Sequence, residues 1–71
     1  MKNRSLEVST LNDIKNISDL ANVINCSLDE AAALINENEV NEEVVNRFCE
    51  YFKITKDYFY CITEVNNYER L

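Results

Sequence analysis

The chain has 71 residues, a formal net charge of −6 from 13 acidic and 7 basic side chains, 46% hydrophobic residues, and no glycine, proline or histidine. A chain this short makes one domain, 1–71, that buries only about 60% of the surface it exposes when unfolded, so its core must be small and simply connected. The charge argues against general affinity for nucleic acid or an anionic membrane, both of which depend on lysine and arginine facing phosphate. The missing glycine and proline favour helices joined by tight turns over hairpin-built sheet, so the expected class is all-α with four to five short helices.

From the N-terminus, Leu6, Leu11 and Ile14 recur at roughly helical spacing and predict a short first helix through about Lys15, with Ser9 or Thr10 as its cap. In "NISDLANVIN", Ile17, Leu20, Ala21 and Ile24 fall at i, i+3, i+4, i+7, the stripe of a second helix over about 17–24 capped by Asn16. "CSLDE" then supplies an S-x-x-E capping box, in which Ser27 and Glu30 exchange side-chain-to-backbone bonds. A third helix is therefore expected over about 28–36 with Ala31 and Leu34 inward, ended by the polar "NENEVN".

Asn41 caps a predicted fourth helix, with Glu42 and Glu43 in its first turn, where acids suit the positive end of the helix dipole. Val45, Phe48, Cys49 and Phe52 form its inward stripe. Thr55 opens a last helix, "KDYFYCITEV", with Phe59 and Ile62 as an apolar i, i+3 pair, and "NNYERL" reads as a frayed tail. The expected core is Leu20, Ala21, Ile24, Ala31, Leu34, Val45, Phe48, Phe52, Ile54 and Phe59.

Cys26, Cys49 and Cys61 are odd in number, widely spaced and unaccompanied by histidine, which fits neither a disulfide framework nor a zinc-ligand pattern. They read as buried free thiols. "MKNRSLEVS" lacks the apolar run of a signal peptide, and no segment approaches the roughly 18 apolar residues of a membrane span, so a cytoplasmic protein is expected. No serine or cysteine has an evident base beside it, and neither an enzyme nor a cofactor is expected.

The second and third helices carry the marks of a helix-turn-helix: small Ala21 at the crossing, Asn25 able to take left-handed geometry in the turn, and Leu20, Ile24, Ala31 and Leu34 facing one core. Beyond that unit, Ile17 to about Tyr60 resembles the phage repressor and Cro family, the lambda-repressor-like helix-turn-helix proteins. "DLANVINCS" is similar to that family's second helix and turn, "LDEAAALINEN" to its recognition helix and following loop, and "VVNRFCEYFKITKDYFY" to its last two helices. The resemblance implies a transcription-regulatory role.

The departures lie where that family touches DNA. Its recognition helix usually presents polar or basic side chains to base edges. The matching positions here are Ser27, Leu28, Asp29, Ala32, Ala33 and Asn36, the second helix opens with Ile17 instead of a phosphate-contacting glutamine, and the following loop reads Glu37, Asn38, Glu39, Val40, Asn41. Every charged side chain between Lys15 and Arg47 is acidic. A face with no cation has nothing to neutralise phosphate, so weak or no direct DNA binding is expected.

Glu30, Glu42 and Glu43 have capping or dipole roles, which leaves Asp29, Glu37 and Glu39 as the acids to be accounted for. Leu28 and Ile35 lie about 70 to 90° from the centre of the third helix's inner face and suit either core or interface. The expected function is an antirepressor or modulator that engages a basic helix-turn-helix repressor and competes with its operator DNA. Its partner-binding set is Leu28, Asp29, Ala32, Ile35, Asn36, Glu37 and Glu39. The alternatives are a dimeric, operator-binding repressor of the Cro type that uses its terminal cations, and an assembly subunit for which the fold is only a scaffold. Tyr51, Tyr58, Tyr60 and Tyr68 are candidates for a homodimer contact, Tyr58 reading better as core or rim.

Overall fold

The computed structural model describes residues 2–63, which hold five helices and no strand: α1 (Ser5–Leu11), α2 (Ile17–Ile24), α3 (Leu28–Ile35), α4 (Glu42–Phe52) and α5 (Lys56–Phe59). Each helix starts where a side-chain oxygen takes up a backbone amide that no carbonyl can reach. Asn16 accepts from Asp19, Asn41 from Glu43 and Thr55 from Tyr58, and Ser27 and Glu30 form the complete capping box. For α1 the cap is not Ser9 or Thr10, as the sequence suggested, because both lie inside the helix. Asn3 Oδ1 takes the Ser5 amide at 2.9 Å instead.

The helix ends share one device. The residue just past each helix or one further on has positive φ: Asp13, Asn25, Glu37, Lys53 and Cys61, all between 57° and 64°. The amide that follows each of them reaches back five residues: Ile14 to Ser9, Cys26 to Ala21, Asn38 to Ala33, Ile54 to Cys49 and Ile62 to Asp57, at 2.8–3.0 Å. These are Schellman-type closures, made without a single glycine.

The helices pack α2 on α3 and α4, α1 on α3, and α5 on α4. Between them lies one apolar cluster that includes Leu20, Ala21, Ile24, Ala31, Leu34, Val45, Phe48, Cys49, Ile54 and Phe59, as expected, together with Val8 and Val44. Phe52 is half-buried instead, its ring 4.6 Å from Phe48 and 4.9 Å from Tyr51. Cys49 alone of the three thiols is buried; Cys26 and Cys61 are half-buried.

Two expected helices differ at the chain's ends. α1 turns Ser5, Val8 and Ser9 inward and leaves Leu6 and Leu11 exposed, because it lies close enough to α3 for the Ser5 hydroxyl to reach the Leu34 carbonyl at 2.8 Å. Leucines would hold the helices too far apart for that bond. The last helix stops at Phe59 instead of continuing through "YCITEV": Cys61 is left-handed, and Ile62 is 72% exposed rather than paired with Phe59. The expected tail, with Tyr68 and Arg70, lies outside the described residues. No helix among those described is long and apolar enough to cross a membrane.

Candidate functional site

The unit formed by α2, the turn Asn25–Ser27 and α3 rests on small and strained positions. Ala21 is 5% exposed and packs in the core. Asn25 takes φ 57°, ψ 56°, a conformation its short amide side chain tolerates better than most residues do. Arg47 braces the turn from α4, donating from Nη1 to the Asn25 carbonyl at 2.6 Å while Nη2 pairs with Glu43 at 3.2 Å. The i, i+4 pair is legible in the sequence; the bond across 22 residues is not.

The seven expected partner-binding residues do not form a uniform surface. Leu28, at the start of α3, is 59% exposed, and Asp29, Asn36 and Glu39 are exposed beside and beyond it. Ala32 and Ile35 are half-buried, with Ile35 packed against the core cluster. The two residues left open between core and interface therefore divide: Leu28 projects, and Ile35 belongs to the packing. Glu37 is exposed, but its carboxylate accepts the Asn3 amide at 3.1 Å, and Asn3 Nδ2 donates to the Leu34 carbonyl at 3.1 Å. Glu37 thus ties the chain's start to the end of α3. Asp29 and Glu39 make no ion pair with a described residue.

Arg4 and Lys56 are held by other parts of the chain. Arg4 lies 4.5 Å above the Tyr58 ring, donates from Nε to the Tyr58 carbonyl at 2.9 Å and pairs with Glu7 at 3.4 Å. Lys56 pairs with Glu42. That bond raises the Lys56 pKa, as it favours the charged ammonium. Burial raises the Cys49 thiol from 9.0 to about 11, and burial followed by the charge of Glu30 raises Cys26, with Arg47 opposing. Both thiols stay protonated at neutral pH, which makes them weak nucleophiles and weak metal ligands. Among the described residues no three His, Cys, Asp or Glu side chains converge as a metal site.

Sequence reasoning missed three connections: Asn3 to Glu37, Ser5 to Leu34, and Arg47 to Asn25. Each joins residues 22 to 34 apart through a backbone group, which leaves no spacing signal. Compared with known proteins, the chain matches no family model, no curated protein and no solved structure.

Proposed function

We propose that this protein regulates transcription by protein contact, as an antirepressor or modulator of helix-turn-helix fold whose α3 face engages a basic DNA-binding repressor and competes with operator DNA. The observation that carries the reading is the composition of that face: Leu28 projects from it, Asp29 and Glu39 flank it without cationic partners, and no lysine or arginine occurs from Asn16 to Asn46. A basic surface built to neutralise phosphates finds carboxylates there. Such rim charges chiefly speed encounter and set specificity, whereas an apolar anchor such as Leu28 supplies affinity.

The operator-binding alternative needs cations that can turn to phosphate. Arg4, Arg47 and Lys56 are each already held by a carboxylate, and Arg4 and Arg47 by backbone carbonyls as well. Lys2 and Lys15 stand outside these pairs, but no cation lies on α2, α3 or the loop after it, which favours the protein partner.

The test is co-purification against the product of a neighbouring repressor gene, followed by competition with operator DNA. Asp29→Lys with Glu39→Lys should weaken the complex about tenfold, mainly through slower association, and Leu28→Ala should weaken it to a similar extent through faster dissociation. Glu37 is left unchanged because its reversal would release Asn3. A complex that forms equally well on operator-bound repressor would end the competitive reading. A steeply salt-dependent mobility shift by the isolated chain would assign operator binding to it directly.

A further inference from the structure

With Val44, Val45, Phe48 and Cys49 turned inward, α4 carries Glu43, Arg47, Glu50 and Tyr51 along its outer side at i, i+4, i+7, i+8. Tyr51 is 52% exposed, the one exposed aromatic side chain among the described residues. Beside it a shallow groove of about 380 Å³ runs between α4 and the end of α2, lined by Val23, Ile24, Asn25, Arg47, Glu50 and Tyr51. Arg47 is fixed at this groove by its bonds to the Asn25 carbonyl at 2.6 Å and to Glu43 at 3.2 Å, yet its side chain stays 39% exposed and has further N–H donors to give. Glu50 makes no ion pair with a described residue.

The face is complementary to itself. When two copies of α4 lie antiparallel across a two-fold axis at the level of Phe48 and Cys49, each Arg47 meets the other copy's Glu50, because the two residues stand at equal distances on either side of the axis. Tyr51 then comes within one residue's rise, about 1.5 Å, of the opposite Arg47 along the helix, and its ring enters the second copy's groove beside Val23. Charge selects this face over others. A chain at −6 repels its own copies, so a contact between them needs a cation within it, and Arg47 is the only lysine or arginine from Asn16 to Phe52.

We propose that the outer face of α4 and the groove beside it receive a second copy of this chain, joined on a two-fold axis by reciprocal Arg47–Glu50 ion pairs and by Tyr51. A contact carried by one helix and the tip of another falls below the roughly 1,200 Å² of a stable complex, so the dimer is weak, with a Kd on the order of 100 µM. It is independent of the proposed repressor contact, since none of the exposed residues Leu28, Asp29 and Glu39 lines the groove.

The experiment is sedimentation equilibrium of the full chain from about 10 µM to about 1 mM, over which the mean mass should rise from 8.3 kDa toward twice that value. Tyr51→Ala, at an exposed position, should weaken the dimer about tenfold. Glu50→Lys sets cation against cation and Arg47→Glu sets acid against acid, so each variant alone should stay monomeric. Mixed in equal amounts they should associate again, because both ion pairs are then of opposite sign. Should Arg47→Glu lose helix by circular dichroism, the unaltered chain answers the same question by NMR: the amides of Val23, Asn25, Glu50 and Tyr51 should shift with concentration. A mass of 8.3 kDa throughout the range overturns the contact. A dimer indifferent to both Glu50→Lys and Tyr51→Ala does so too, as does a mixture of folded charge variants that stays monomeric.

Discussion

Ser9 and Cys49 show how one buried atom sets a measurable property. The Ser9 hydroxyl is desolvated without compensation, so Ser9→Ala is expected to raise stability by about 1 kcal/mol in a urea melt of the free protein. A loss of similar size would mean that the hydroxyl is paired in solution. Cys49 acts through pH. Its thiol titrates near 9.0 when unfolded and near 11 when folded, so between those values the folded state holds more protons and stability falls as pH rises. Tyr60, raised by burial, and Lys56, raised by its bond to Glu42, act in the same direction: each loses its contribution as pH climbs from the unfolded to the folded value. Melts from pH 7 to 11 should show a decline beginning near 9.0, shallower in Cys49→Ala. Equal slopes in the two proteins would remove the thiol from the account.

At the scale of the element, helix starts and helix ends follow different rules. Starts are chosen by side chains that bind the backbone within a few residues, so Asn16, Ser27, Asn41 and Thr55 are legible in the sequence. Ends use left-handed residues whose side chains do not advertise the conformation. Of the five, Asn25 carries the residue type that signals it most clearly; Glu37, Lys53 and Cys61 do not. A Cβ in that region costs about 1 kcal/mol, so Lys53→Gly should be more stable than Lys53→Ala by about that much, both variants having lost the lysine side chain. Equal stability would show that the α4 end relaxes out of the left-handed turn. For the α2–α3 contact, Ala21→Leu should cost about 1 to 3 kcal/mol, read from thermal melts followed by circular dichroism, because the 5% exposed methyl has no space around it.

For the whole molecule the governing feature is segregation of charge. Acids without local partners flank α3, while Arg4, Arg47 and Lys56 are folded onto carbonyls and carboxylates. The protein therefore presents one acidic helix face with a projecting leucine. At physiological salt the isolated chain should give no mobility shift with duplex DNA at submicromolar protein, since generic affinity needs several cations facing phosphate. A shift that vanishes with added salt would contradict this and point to the cations as free.

The class, the extents of α2 and α3 to within a residue, the start of α4 and most of the core were set by local information: hydrophobic period, capping oxygens and the absence of glycine. The acidity of α3 and its loop was equally plain in the sequence, and so was the composition of the candidate face. What only the tertiary structure decided was how that composition is used. Leu28 and Ile35 sit at similar angles on one helix, yet packing against the core cluster withdraws Ile35 and leaves Leu28 in solvent. Glu37 and Glu39 read alike in the chain, but only Glu37 meets the Asn3 amide. In α1, leucines at helical spacing pointed to the wrong face because proximity to α3 selects serine-sized side chains, a constraint that comes from a helix over 20 residues away. Local preferences are encoded within a turn or two of the chain; the choice between two similar side chains depends on which neighbour the fold brings against them.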